Sequence, residues 1–543
     1  MMSAAVLGAV AWLVGTATAG DDTLLPLPPM GFNNWARFMT NINESIFIDA
    51  ADAMSKNGLL AAGYNRLNLD DAWSTKQRAD NGSMVWDPVK FPSGLPWLTD
   101  YLKSKGFIPG IYTNAGNLSC GGYPGALDHE AIDLETFTRW GFKYLKMDGC
   151  HLPDKSEATY HEVYGRWYKL LAEAEEPLIL SDSAPAYFSG QIAGTNNMTD
   201  WYKAMGWASA FGQLARHSAD ILVYPDGIFG RGSSWDSMMY NYGQEVRLAR
   251  YQRPGYFNDP DFINADHPSY TLEEKKSHFA LWCSFSAPLI ISANIPTLSQ
   301  DDIKYLTNND LIAIDQDGLI QQATLASSSD TWDVLTKNLE NGDRLLTILN
   351  KGSTAGNLSV PWQRIGLSAK DLSDDVSIKN LWTGEWSNVS VNNGGINATA
   401  IPSHGTAVFR IAQTASDVTP TGIIFNTDST NCLTDNVSGR VTFGKCDGSD
   451  GQIWNVWPDG QINSLLRPHN CIVDAQGVIQ SQESSSHTDT WRYEMSGNLI
   501  NSDSGLCLTE GVNGIATASK CGDELNEQVV GLPVGVNVVE PDS

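Results

Sequence analysis

The chain has 543 residues, 42% of them apolar, with 62 acidic against 35 basic side chains and a net charge of −27. That length calls for two to four domains rather than one core, and no apolar run beyond the first twenty residues is long enough to span a membrane. The acidic surface would repel phosphates, which excludes nucleic acid and polyanions as partners.

The chain opens with a run that reads as a signal peptide over residues 1–20, in which Ala4 to Val14 is apolar and Ala17-Thr18-Ala19 supplies small residues, although the positive start is missing. Secretion is therefore expected. Eight Asn-x-Ser/Thr sequons, at Asn43, Asn81, Asn117, Asn197, Asn357, Asn388, Asn397 and Asn436, fit passage through a glycosylation machinery. In an oxidising compartment six of the eight cysteines fall into local pairs: Cys120 with Cys150, Cys432 with Cys446, and Cys507 with Cys521. Cys283, within Ala280-Leu281-Trp282-Cys283, reads as a buried thiol acting as a small hydrophobe.

From Pro26 to about Asp317 short apolar runs alternate with amphipathic segments, the βα rhythm of a parallel sheet. Eight runs lie near Gly31, Leu67, Ile108 to Tyr112, Tyr144 to Met147, Leu178 to Leu180, Ala219 to Asp220, Gly255 to Phe257 and Leu289 to Ile291. Eight units of this size predict an α/β chain with a catalytic (β/α)8 barrel over residues 21–322. Helices are expected over Glu44 to Leu59, Trp97 to Lys105, Asp133 to Trp140, Tyr160 to Glu173 and Leu272 to Trp282. From about Ala323 alternating runs such as Trp332 to Thr336, Arg344 to Leu349 and Thr406 to Arg410 predict an antiparallel β-sandwich over 323–413, followed by a linker over 414–421.

Residues 422–543 carry a repeat. Gln452-Ile453-Trp454, Asp489-Thr490-Trp491 and Gln528-Val529-Val530 each follow a Cys-Leu or Cys-Ile start, at Cys432, Cys471 and Cys507. Three such units sharing one core resemble a ricin-B-type β-trefoil, which implies weak sugar binding, with Phe443 as a candidate stacking aromatic.

The ends of the barrel strands are more telling than the strands. They read Asp70-Asp71, Tyr112, Asp148, Asp182-Ser183, Asp220 and Asn258-Asp259-Pro260-Asp261, a ring of carboxylates and aromatics at the C-terminal rim, where barrel enzymes keep their sites. Surface charge meant only for solubility would scatter over the helices. Asp148 ends an apolar strand, and Lys146, one alternation back on the same face, is expected to keep it ionised at low pH. Of the nine histidines only His151 and His217 fall near strand ends, so no metal is expected; no glycine-rich phosphate loop precedes a helix, so no cofactor is either. Paired carboxylates among tryptophans and tyrosines suit glycoside hydrolysis, in which one attacks the anomeric carbon and the other protonates the leaving oxygen.

Met30-Gly31-Phe32-Asn33-Asn34-Trp35, Asn68-Leu69-Asp70-Asp71-Ala72-Trp73, Tyr144-Leu145-Lys146-Met147-Asp148-Gly149-Cys150, Asn258-Asp259-Pro260-Asp261-Phe262 and Ser286-Ala287-Pro288-Leu289 resemble, in order, the signatures of the α-galactosidase and α-N-acetylgalactosaminidase family of retaining glycoside hydrolases. The resemblance covers about residues 26–412, and with the C-terminal module the whole chain is similar to the secreted fungal members. It implies Asp148 as nucleophile and Asp220, in Arg216-His217-Ser218-Ala219-Asp220, as proton donor. It implies sugar contacts from Trp35, Asp70, Asp71, Tyr112, Lys146, Arg216 and Asp261, and a disulfide between Cys120 and Cys150 beside the pocket. The loop reading the sugar's 2-substituent is Asp182-Ser183-Ala184-Pro185-Ala186-Tyr187, and the sequence leaves open whether Asp182 or Ser183 faces the sugar. Asn114 stands where an aspartate is frequent in relatives. The expected activity is release of terminal α-D-galactose from oligosaccharides and galactomannans; α-N-acetylgalactosaminidase, β-L-arabinopyranosidase and a sugar-binding protein with a decayed barrel are the alternatives.

Overall fold

A computed structural model describes residues 24–190, 198–224, 233–368, 372, 374–412, 418–483, 490–522 and 525–540. The expected leader over 1–20, the sequon at Asn197, linker residues 414–417 and Asp489 lie outside them.

Eight strands and their helices follow in alternation: β1 (Met30–Asn33), α1 (Trp35–Phe38), α2 (Glu44–Asn57), β2 (Arg66–Leu69), α3 (Leu95–Ser104), β3 (Ile108–Asn114), α4 (Glu130–Arg139), β4 (Tyr144–Asp148), α5 (Glu157–Glu173), β5 (Ile179–Asp182), α6 (Met198–Phe211), β6 (Leu214–Arg216), α7 (Ser234–Glu245), β7 (Phe257–Asp259), α8 (Leu272–Phe285) and β8 (Leu289–Ile291), with α9 (Gln300–Leu306) and α10 (Asn309–Asp315) behind them. The helices begin where short polar side chains satisfy otherwise orphaned amides: Asn43 caps α2, Ser156 caps α5, and Ser233 and Thr271 form capping boxes with Asp236 and Glu274 on α7 and α8. All strand pairings are parallel, in the order β7-β6-β5-β4-β3-β2-β1-β8, and a parallel bridge from Ile263, just after β7, to Ile291 on β8 closes the ring.

Register decides which residues face the barrel interior. Tyr112, Lys146 and Ser181 stand side by side on β3, β4 and β5, and Ser181 pairs on with Leu214 and then Phe257. The interleaved row of Met147, Asp182, Ala215 and Asn258 points the other way, into the helix layer, because side chains alternate along a strand.

The sixth strand lies at Leu214–Arg216, not at the Ala219 to Asp220 expected from the sequence. Ile221, Leu222 and Val223 are fully buried and so imitate a strand, but the amides of Ile221 and Leu222 donate to the Asp261 carboxylate and the Ser237 hydroxyl instead of to a neighbouring strand. Three-residue strands are too short to leave a period-two signal.

The following domain comprises β9 (Thr324–Ser328), β10 (Trp332–Asn338), β11 (Arg344–Asn350), β12 (Gly356–Pro361), β13 (Asp375–Asn380), β14 (Trp386–Ser390), β15 (Gly395–Ile401) and β16 (Thr406–Ile411). A six-stranded antiparallel sheet in the order β14-β13-β16-β11-β10-β9 packs against a two-stranded antiparallel sheet of β12 and β15. Alternation splits β10 and β11 between two cores: Val334, Leu346 and Ile348 fill the sandwich, while Leu335, Leu345 and Leu349 join the barrel's apolar cluster. Lys337, also buried against the barrel, donates to the Ser286 hydroxyl and the Ile314 carbonyl, and burial pushes its ammonium down to about 8.

The C-terminal repeats are structurally equivalent. The Trp454 indole donates to the Leu433 carbonyl at 2.8 Å, and the Trp491 indole makes the corresponding bond to Ile472 at 3.1 Å. The Gln452 and Gln528 amides are consumed in the same way by Thr434 and Lys445 and by Thr509 and Lys520. Phe443 is packed into the trefoil core, which removes it as a stacking platform. The trefoil also docks on the barrel: Ile423, Phe425 and Val529 extend the barrel cluster, Tyr202 bonds Thr427 at 2.5 Å, and the Arg250 guanidinium donates to the Met495 carbonyl at 3.0 Å.

Candidate active site

At the mouth of β4 the Asp148 carboxylate accepts the Tyr187 hydroxyl at 2.5 Å and the Gly149 amide at 2.9 Å. Gly149 must be glycine, since a Cβ there would lie 2.5 Å from the Tyr160 ring and 2.9 Å from that of Tyr187. The Tyr160 hydroxyl donates to the Gly149 carbonyl at 2.7 Å, so the turn after Asp148 is held from both sides. Burial pushes the Asp148 carboxyl above its ordinary value; Lys146 and the Tyr187 bond pull against that, and the charge on Asp220 adds to the rise. Lys146 therefore moderates Asp148 but does not hold it low, contrary to the sequence-based expectation.

The reason is where the ammonium goes. Lys146 Nζ donates to Asp70 Oδ2 at 2.7 Å, and that oxygen also accepts the Asn33 amide at 2.8 Å. Burial alone would lower the Lys146 ammonium, but Asp70 and Asp148 outweigh it and raise it. Asp71 accepts the Gly121 amide at 2.7 Å and thereby ties the β2 exit to the loop of the Cys120–Cys150 bridge, whose Cα atoms are 5.3 Å apart. Burial pushes the Asp71 carboxyl up. Asn114 accepts the Cys150 amide and donates to the Leu118 and Cys150 carbonyls, so the neutral side chain at this position holds the bridge loop. The Cys120 and Cys150 sulfurs lie close to Asp148 but are bonded to each other, so this trio is no thiolate metal site.

Across the mouth, Asp220 Oδ1 accepts Arg216 Nη2 at 3.2 Å and its Oδ2 accepts the Trp35 indole at 3.4 Å. Arg216 Nη2 also meets Asp261 Oδ2 at 2.8 Å, and the same Asp261 oxygen accepts the Ile221 amide at 2.7 Å. Asp261 achieves this at φ 85°, a left-handed conformation that costs an L-residue free energy and is retained where the surroundings over-determine it. Burial pushes its carboxyl up to about 6, against the pull of Arg216. Tyr112, fully buried, lies with its ring 5.4 Å from the Lys146 ammonium and has no hydrogen-bond partner for its hydroxyl among the described residues.

The geometry thus assembles Trp35, Asp70, Asp71, Tyr112, Lys146, Asp148, Tyr187, Arg216, Asp220 and Asp261 around one cup. Asp182 is the exception. It lies in the outward row, accepts the Ala184 amide at 2.7 Å, and faces Tyr164 and Tyr256 in the helix layer. Burial pushes its carboxyl up to about 8. Ser183, one alternation further, is the residue left for the cup; its buried hydroxyl has no partner among the described residues. Asn33 and Phe262 are members of the cup that the sequence reading passed over. Phe262 lies 5.2 Å under the Lys146 ammonium and 5.8 Å from the Arg216 guanidinium. Both stand inside motifs noted for their aspartates, and that was the available signal.

A raised Asp182 carboxyl makes stability depend on pH. The folded state keeps this proton more tightly than the unfolded chain, so the contribution is full below the ordinary value near 4 and is lost as pH rises toward 8. Asp182→Asn keeps the acceptor for the Ala184 amide and cannot ionise. Its melting temperature should match wild type at pH 4 and exceed it by about 2 °C or more at pH 8. Equal pH slopes in differential scanning calorimetry would show that Asp182 is not a buried acid.

All three expected disulfides are formed, with Cα separations of 5.3, 5.1 and 5.1 Å, and Cys283 is fully buried. Of the sequon asparagines in the described residues, Asn436 is half-buried and the others are exposed. No described helix is long and apolar enough to cross a membrane.

Residues 27–317 match a family model described as Alpha galactosidase A, residues 329–411 its C-terminal beta sandwich domain, and residues 420–529 the ricin-type beta-trefoil lectin domain. The chain is 50% identical over 548 residues to an alpha-galactosidase A of Aspergillus niger, covering 99% of this chain and 97% of that one. Two solved structures share its fold. One is alpha-galactosidase I of Mortierella vinacea, with a TM-score of 0.63 and 24% identity over 73% of this chain and 99% of that one. The other is an α-galactosidase of Saccharomyces cerevisiae with raffinose, at 0.62 and 24% over 73% and 99%. With the barrel, sandwich and trefoil models matched in chain order and half of the residues identical over the full length, the chain belongs to the alpha galactosidase A family of glycoside hydrolases.

Proposed function

We propose that this protein releases terminal α-D-galactose from α-galactosides by double displacement, with Asp148 as nucleophile and Asp220 as acid and base. The observation that carries this reading is the opposed pair itself. Asp148 is immobilised by Tyr187 and Gly149 at one side of the cup, and Asp220 is held by Arg216 and Trp35 at the other. Asp148 attacks the anomeric carbon while Asp220 gives its proton to the leaving oxygen; water, deprotonated by Asp220, then breaks the galactosyl ester on Asp148. Asp70, with Lys146, and the orphaned Tyr112 hydroxyl offer the polar groups that sugar hydroxyls require. Because burial raises the Asp148 carboxyl, the acid limb of the rate should lie above the ordinary aspartate value.

The full-length likeness to an alpha-galactosidase A supports galactose as the sugar. Export fits the three disulfides and the exposed sequons. The trefoil supports tethering to oligosaccharides and galactomannans, a weak sugar contact that raises local substrate concentration without taking part in turnover.

The test is hydrolysis of aryl α-galactoside, α-N-acetylgalactosaminide and β-L-arabinopyranoside, with the first product followed by nuclear magnetic resonance. The galactoside should be preferred by about tenfold or more in kcat/KM, a discrimination that differences at one substituent supply. The first product should be the α-anomer. Preference for either other sugar would move the substrate assignment, and an initial β-anomer would exclude double displacement.

A further inference from the structure

We infer that His217 and Glu245 form a buried positioning pair that fixes the acid and base side of the cup, and that its effect falls on proton donation rather than on sugar binding. The inference rests on the galactosidase reading above. His217 follows Arg216 on the exit of β6, so alternation turns Arg216 into the cup and His217 outward into the helix layer. There its ring Nε2 lies 2.6 Å from Glu245 Oε2 at the end of α7, both side chains being fully buried. The His217 carbonyl meanwhile accepts the Trp201 indole of α6 at 2.8 Å. Ring and peptide of one residue are thus clamped by two helices.

Asp220 is three residues further on, in a segment without strand pairing. Its carboxylate is about one-third exposed, and its bonds to Arg216 and Trp35, at 3.2 and 3.4 Å, are long. The segment is pinned on one side by His217 and on the other by the Ile221 and Leu222 amides, which bond Asp261 and Ser237. Glu245 serves both flanks. Its carbonyl accepts the Gln322 amide at 2.7 Å, and Gln322 in turn accepts the Asn258 amide at 2.8 Å, three residues before Asp261. Residue 245 is therefore tied to both exits, to that of β6 through its side chain and to that of β7 through its main-chain carbonyl, and the Arg216–Asp261 bond is made across them. Stability alone does not account for it, because a buried polar pair is commonly matched or exceeded by an apolar pair of the same volume.

The test compares wild type, Glu245→Ala and the isosteric Glu245→Gln on two substrates: an α-galactosyl disaccharide, whose leaving group needs a proton, and 2,4-dinitrophenyl α-galactoside, whose leaving group does not. Glu245→Ala should lose about 100-fold in kcat on the disaccharide, the scale of a misplaced catalytic group, with KM within about twofold. On the dinitrophenyl substrate the loss in kcat/KM, which reports formation of the galactosyl ester and needs no proton, should stay below about fivefold, and Glu245→Gln should restore the disaccharide rate to within about fivefold of wild type. Should Glu245→Ala fail to fold, His217→Phe fills the same space without the bond and is held to the same two losses. Equal losses in kcat/KM on both substrates, or an unchanged disaccharide rate in a folded variant, would overturn the inference. Wild type inert on both substrates would instead sink the galactosidase reading.

Discussion

Asp148→Ala should fold and lose about 10,000-fold or more in kcat on every α-galactoside, whatever its leaving group, because no other described carboxylate is held where Asp148 meets Tyr187 and Gly149. Folding should survive. The half-buried carboxyl is pushed above its ordinary value, so its removal relieves a desolvation cost while breaking the Tyr187 bond. The vacated space admits a small anion, and azide entering there attacks from the nucleophile's side. The rescued product should be β-galactosyl azide, formed with a single inversion and identifiable by its anomeric coupling. Near wild-type turnover without azide would remove Asp148 from the reaction.

Asp220→Asn should fail differently. On an α-galactosyl disaccharide the loss should reach about 100- to 10,000-fold, the contribution of a positioned proton donor. An aryl galactoside with an excellent leaving group should still form the galactosyl ester on Asp148 and then accumulate it, because the base that activates water is gone. A burst of aryl alcohol followed by a slow steady rate is the expected trace in stopped-flow absorbance. Azide should relieve the slow step with overall retention, opposite in stereochemistry to its effect on Asp148→Ala. The basic limb of the pH profile should also flatten, since the proton it reports resides on residue 220. A variant slowed equally on both substrates, with no burst, would place the acid elsewhere.

The two variants differ in how their residues could be found from sequence. Asp148 was legible because it ends a five-residue strand whose apolar run is long enough to read. Lys146 two positions earlier was legible for the same reason, and the parallel register puts it beside Tyr112 as alternation requires. Asp220 was recognisable only through its motif. Its local run imitates a strand end, yet the strand stops at Arg216 and the apolar residues after Asp220 are buried by bonds to Asp261 and Ser237. The trefoil repeat was readable as a period, whereas its docking on α6 through Tyr202 and Thr427 was not.

By itself the sequence determined the βα alternation, the antiparallel segments, the threefold repeat, the cysteine pairs and the ring of rim carboxylates. Each of these is a local pattern, set by side-chain period or by short spacing along the chain. Only the tertiary structure decided that Lys146 spends its charge on Asp70, that Asp182 turns outward while Ser183 is left for the cup, that Asp261 binds both Arg216 and the amide after Asp220, and that His217 reaches Glu245. Apart from Asp182, whose place follows from strand alternation, those choices depend on partners 28 to 76 residues away, and on burial, which raises a carboxyl's proton affinity whatever lies beside it in sequence.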